Sequence, residues 1–129
     1  MKTIIRIGSL LTIITLCSCD MSDKESISPV VATDLPSSCL VGETISFKVY
    51  HVAFNGCGKY SKHEAAENGN VITVRFYAKY PQAQMCPDNI PTLETIYYFE
   101  ATQKGDIYFR FFQDNYNGQE YLLDTLRVL

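Results

Sequence analysis

The chain has 129 residues, of which 47% are hydrophobic, 12% aromatic and 19% charged, with seven Gly and five Pro. That composition fits one folded domain and excludes collagen-like, coiled-coil and wholly disordered classes. A formal charge of −3 leaves no basic footprint for nucleic acid, so no nucleic-acid partner is expected.

Lys2 and Arg6 are the only charges before residue 20. Ile7, Leu10, Leu11, Ile13, Ile14 and Leu16 follow, interrupted by Gly, Ser and Thr alone. A positive start and about ten largely apolar residues make a secretory signal peptide. The run is too short to cross a ~30 Å hydrocarbon core as a helix. Its end, Leu16-Cys17-Ser18-Cys19, resembles the bacterial lipobox, where a small residue precedes the lipid-bearing Cys. Cys19 follows Ser18 and fits; Cys17 follows Leu16 and does not. The resemblance implies lipid transfer to the Cys19 thiol, cleavage before Cys19 and acylation of the new amine. An ordinary signal peptide with two chance Cys is the alternative. Several acyl chains would give durable anchoring, at ~0.8 kcal/mol per buried methylene.

The expected division is therefore residues 1–18 as signal peptide, 19–28 as lipidated Cys and flexible tether, and 29–129 as the folded domain. Losing Lys2 and Arg6 leaves nine basic against 14 acidic residues. The acidic stretch after Cys19 resembles surface-export signals of some bacterial lipoproteins, whereas Asp20 next to the Cys also resembles inner-membrane retention signals. Sorting to the outer membrane or cell surface is favoured.

Beyond the tether, strand signals recur every 10–15 residues and no long stretch has a helical period. Residues 30–35 read as a first strand, ended by Pro36. Residues 44–54 read as a second, with Ile45, Phe47 and Val49 inward. The apolar parity changes after Tyr50 to Val52 and Phe54, which predicts a bulge or twist. Residues 60–66 form a polar third strand, and Asn68-Gly69 signals a two-residue hairpin. Residues 71–80 return with Ile72, Val74, Phe76, Ala78 and Tyr80 on one face. A Pro-rich loop carries Cys86. Residues 93–101, then 107–112 after Lys104-Gly105, then 121–128 after Asn117-Gly118 complete the set. Seven short strands predict an all-β, immunoglobulin-like antiparallel β-sandwich; a five- or six-stranded barrel is the competitor.

Phe47, Phe76, Phe99, Phe109 and Phe111 have inward parity and are the candidate core, each worth about 1.5–3 kcal/mol by transfer. Tyr50, Tyr77, Tyr98, Tyr108 and Phe112 have the opposite parity. They are a candidate aromatic surface for a protein or glycan ligand, set against scattered strand-forming residues.

Val41-Gly42-Glu43, Asn55-Gly56-Cys57, Cys86-Pro87, Gly105 to Phe111 and Leu123 to Val128 occur in an order that resembles small bacterial cell-envelope lipoproteins with one immunoglobulin-like domain. That resemblance implies fold and location and supplies no catalytic residues. The chain lacks Trp, and its Cys positions do not imply the usual immunoglobulin disulfide. Cys39, Cys57 and Cys86 would remain after processing, in an oxidising compartment. Their position after strands, together with the family pattern, favours a Cys57–Cys86 bridge; Cys39–Cys57 is the alternative.

No cofactor or metal is expected. His51, Cys57 and His63 are spaced six apart, unlike the close pairs of a zinc site. The carboxylates Glu64, Glu67, Glu94, Glu100, Asp106 and Asp114 include no pair whose spacing demands a shared site. The sequence therefore favours a lipid-anchored, non-enzymatic binding or accessory module. The alternatives are a small envelope enzyme using Cys57 and His63 or clustered carboxylates, and a purely structural envelope component.

Overall fold

The computed structural model describes residues 23–82 and 84–129. The expected signal peptide, Cys17, Cys19 and residues 20–22 of the tether lie outside the described residues.

Among the described residues nine strands follow one another: β1 (Lys24–Ile27), β2 (Val30–Thr33), β3 (Ser38–Cys39), β4 (Thr44–Val52), β5 (Lys59–Asn68), β6 (Val71–Tyr80), β7 (Thr92–Glu100), β8 (Gly105–Phe112) and β9 (Tyr121–Val128). They make two sheets. The smaller runs β2-β4-β7. The larger has six strands: β5 pairs with β6, and β6 leads through β8 and β9 to β3. The two sheets form a sandwich, as the strand pattern predicts, rather than one closed barrel.

Two features go beyond the sequence reading. The described residues form nine strands instead of about seven, and β6–β8 and β3–β9 are parallel pairs. The added strands are β1 and β3. On one edge of β6, β8 pairs with Val71 to Val74 and β1 with Tyr77 to Tyr80. A buried central strand needs partners for its backbone N–H and C=O groups along its whole length. The polar Lys-Glu-Ser-Ile segment supplies them where β8 does not reach. Among the described residues the first strand of the sandwich is therefore Lys24–Ile27, which falls within the span 19–28 expected as tether.

The core is aromatic. Phe76, Phe109 and Phe111 are fully buried and Phe47 nearly so, while Phe99 is half-buried against them. Phe109 and Phe111 stack at 5.6 Å between centroids, and Phe47 meets them edge-on at 5.9 and 6.3 Å. Such offset and edge geometries satisfy the ring quadrupoles as well as burying area. Ile45, Val49, Val74 and Leu126 fill the space between the sheets.

The break expected after Tyr50 lies in one of the two pairings of β4. Its pairing with β7 runs from Thr44 to Val52 without a register break. The irregularity lies in its other neighbour pairing, between Val30 and Ala32. His51 continues the inward parity of Ile45, Phe47 and Val49, and Phe54 is exposed. The burial of this imidazole depends on partners distant in sequence, Ser28 and Thr95, so alternation alone does not signal it.

The hairpin also sits one residue later than expected. Asn68 pairs with Val71, so the two loop residues are Gly69 and Asn70. Gly69 has φ of 63°, the sign required at the first position of a II′ turn.

Candidate binding surface

Strand alternation gives the larger sheet an outer face built from the odd residues of β6 and the even residues of β8. Register then decides which side chains meet. Lys62 lies opposite Tyr77, Glu64 opposite Arg75, and Phe112 opposite Tyr121. Three cation–aromatic stacks result. Lys62 Nζ lies 5.0 Å from the Tyr77 ring centroid, the Arg75 guanidinium 4.7 Å from Phe112, and that of Arg110 4.0 Å from Tyr121. Each contributes about 0.5–1 kcal/mol at an exposed site.

Carboxylates complete this face. Lys62 bridges Glu25 and Glu64 at 3.3 and 3.4 Å, and the Tyr77 hydroxyl donates to Glu64 at 3.1 Å. Ser61 donates to Glu25, which is the main reason that carboxyl is held below its ordinary range. These pairs are solvent-exposed and add little stability. They do hold the long side chains in one arrangement. Tyr108 and Leu123 stand out at 44% and 71% exposure. A depression of about 490 Å³ is lined by Glu64, Ala65, Ala66, Thr73 and Arg75. A guanidinium stacked on a ring keeps its in-plane N–H donors for carboxylate or hydroxyl acceptors.

The structure divides the five aromatics proposed from sequence. Tyr77, Tyr108 and Phe112 belong to this face. Tyr50 and Tyr98 lie on β4 and β7, on the outer face of the other sheet. Opposite parity to the core means outward, and a sandwich has two outward faces. The Tyr50 hydroxyl also donates to Asp34 at 3.0 Å, which raises its pKa. Sequence reasoning missed Lys62, Arg75, Arg110 and Tyr121. Arg75 beside Tyr77 and Arg110 beside Tyr108 was a visible signal, but which ring each cation covers depends on cross-strand register.

Cys57 and Cys86 form a disulfide with a Cα separation of 5.5 Å, closing 29 residues. It joins the β4–β5 turn to the Pro-rich loop. Gly56 N–H donates to Pro87 O at 2.8 Å beside it. A Cβ on Gly58 would collide with Ala53 and the Tyr80 ring, so this turn packs too closely for a side chain. Cys39 is buried in the core and has no disulfide partner among the described residues, and burial is the first cause of its raised thiol pKa. The Cys39–Cys57 alternative does not form.

With its sulfur in the bridge, Cys57 is no thiolate for His63. The His63 ring instead bonds Tyr60 Oη at 2.7 Å and stacks on Phe76 at 5.1 Å; burial lowers its pKa. A second His has a superficially catalytic partner. His51 Nδ1 lies 2.6 Å from Ser28 Oγ, and Nε2 lies 2.8 Å from Thr95 Oγ1. Ser28 gives its one proton to Val52 O at 2.7 Å. It must therefore accept from Nδ1–H, which leaves Nε2 to accept from Thr95. Ser28 and His51 are both fully buried, out of reach of any substrate. Burial first, then the neighbouring His63, pushes the His51 pKa down to about 4, so the ring is neutral at pH 7.

The carboxylates are also dispersed. Glu64 lies on the outer face of the larger sheet, Glu94 beside Lys48 at 3.9 Å, and Asp106 beside Arg127 at 3.2 Å. Glu67 and Glu100 line one groove at the end of the sandwich away from the disulfide. Among the described residues, no three His, Cys, Asp or Glu are placed to share a metal ion.

A two-layer sheet stack around an aromatic core, stapled once, defines a small β-sandwich domain. The chain belongs to the ORF11 beta-sandwich domain family, whose model matches residues 47–124, more than half of its length. The match spans β4 to the middle of β9, leaving β1, β2 and β3 outside it. No curated protein and no solved structure matches the chain.

Proposed function

We propose that the protein is a lipid-anchored, non-enzymatic binding module of the bacterial envelope. It would be held at the outer membrane or cell surface through Cys19, with the outer face of its larger sheet presented to a protein or glycan. The observation that carries this reading is the line of stacks Lys62–Tyr77, Arg75–Phe112 and Arg110–Tyr121, flanked by exposed Tyr108 and Leu123. Arg and Tyr are the residue types that carry most binding energy at interfaces, and aromatic faces with fixed donors suit sugars equally. The lipobox residues support the anchor, as does the resemblance to immunoglobulin-like envelope lipoproteins. Five residues from Cys19 to Lys24 span at most about 17 Å, which would keep the domain close to the bilayer.

The test pairs a glycan array with pull-down from envelope fractions. The doubly substituted R75E/R110E protein should lose capture that the parent shows, while Tyr98→Ala on the opposite sheet should retain it. Equal capture by parent and double variant would overturn the assignment of this face. Mass spectrometry of the exported chain tests the anchor: an acylated Cys19 at the N-terminus is expected.

A further inference from the structure

Sheet edges offer unpaired backbone groups, and proteins normally blunt them. Four edges here are blunted. β5 carries Lys59, Lys62, Glu64 and Glu67 and has a register shift between Tyr60 and Lys62. β2 has four residues and its own shift, β3 has two residues, and β1 has four that include Lys24 and Glu25. β7 differs. It runs nine residues, Thr-Leu-Glu-Thr-Ile-Tyr-Tyr-Phe-Glu, with no Pro, no Lys, no Gly and no register shift. Among the described residues, no strand pairs with its outer edge. A groove of about 460 Å³ follows that edge along Tyr97, Phe99 and Ala101, with Gly69 and Ile72 on its other side.

The backbone groups that face outward can be assigned. Ala53 N–H donates to Pro91 O, Ala101 N–H donates to Glu43 O, and Gly42 N–H donates to Ala101 O. Odd residues therefore point their N–H and C=O toward β4. By strand alternation, Thr92, Glu94, Ile96, Tyr98 and Glu100 point theirs at the open edge.

We infer that this edge pairs with the same edge of a second copy of the chain, antiparallel about a two-fold axis at Ile96. In that register Ile96 faces its own counterpart, Glu94 faces Tyr98, and Glu100 faces Thr92. All five outward residues fall in hydrogen-bonded pairs, so their free N–H and C=O groups find partners together. No carboxylate meets a carboxylate, and Glu94 already has Lys48 beside it. Ile96 and Tyr98, 42% and 71% exposed, are covered from the partner copy. Leu93 meets Phe99 on the inner side, extending the core across the axis. Neighbouring registers lose this match: an axis at Tyr97 sets Glu94 against Glu100, an axis at Thr95 leaves Glu100 opposite a residue beyond the strand, and an axis midway between two residues places outward backbone groups opposite groups committed to β4. An isologous contact of this kind closes at two copies and builds one continuous six-stranded sheet from two three-stranded ones.

The test is site-directed cross-linking of the full chain carrying Cys39→Ser. A residue on the axis in a hydrogen-bonded antiparallel pair has its counterpart about 5.5 Å away between Cα atoms, within disulfide range. I96C should oxidise to a disulfide-linked dimer on a non-reducing gel, above the level of the parent chain. E94C alone should not, because its counterpart is four residues out of register. E94C and Y98C chains mixed should form the heterodimer. Ile96→Pro removes only an outward N–H, so it should keep the strand-type circular dichroism spectrum and abolish chemical cross-linking of the dimer. No I96C dimer above the parent level, or E94C linking to itself as well as I96C does, would overturn the inference.

Discussion

Acid should destabilise this sandwich through His51. The ring is fully buried between Ser28 and Thr95, and its pKa falls from 6.5 to about 4. Below pH 6.5 the unfolded chain binds a proton at this position and the folded chain does not. Stability must then fall as pH falls, with a limiting slope near 1.4 kcal/mol per pH unit. The loss stops near pH 4, where the folded state also protonates, and no effect is present above the unfolded pKa. Across the window this removes about 3 kcal/mol, a large part of a typical 5–15 kcal/mol stability. His63 acts in the same direction, because burial lowers its pKa too. The assay is urea denaturation at steps from pH 7 to pH 4, comparing parent with His51→Asn. The Asn amide can still donate to Ser28 but leaves Thr95 without its acceptor, so the variant should lose about 1–3 kcal/mol at pH 7. Its stability should decline less steeply toward pH 4, with the residual slope from His63 and carboxylates. A variant slope equal to the parent's would refute the reasoning, as would imidazole NMR shifts showing His51 protonated at pH 6.

Other outcomes follow from the same packing. Reduction, or Cys57→Ser, should lower stability by about 3–4 kcal/mol in the chain-entropy model, read from urea midpoints of the exported protein. Cys39 should resist thiol reagents until the chain unfolds, because its sulfur sits in the core; rapid labelling of native protein would contradict its placement. Phe76→Ala should cost about 3–5 kcal/mol, since the ring is fully buried and packs against both His51 and His63. Cys19→Ala should leave an unprocessed precursor on gels of whole cells if the lipobox reading holds.

The class of fold was legible from residue order, because alternation with period two records which side of a strand faces the core. Ile72, Val74, Phe76 and Ala78 are buried as that pattern requires, and Phe109 and Phe111 likewise. Position after strands, with a family pattern, favoured the Cys57–Cys86 bridge over Cys39–Cys57, and the structure contains it. Other features lie beyond what alternation can encode. Period two separates inward from outward, but it does not say which of two outer faces a residue occupies, so Tyr50 and Tyr98 separated from Tyr77, Tyr108 and Phe112. Register across strands put Arg75 over Phe112 and Arg110 over Tyr121. β1 is a strand only because part of the β6 edge lacks β8. His51 is a core residue only because Ser28, 23 positions earlier, and Thr95, 44 later, satisfy its two nitrogens. A buried polar group is tolerated when its partners are in place, and those partners are fixed by folding rather than by local sequence.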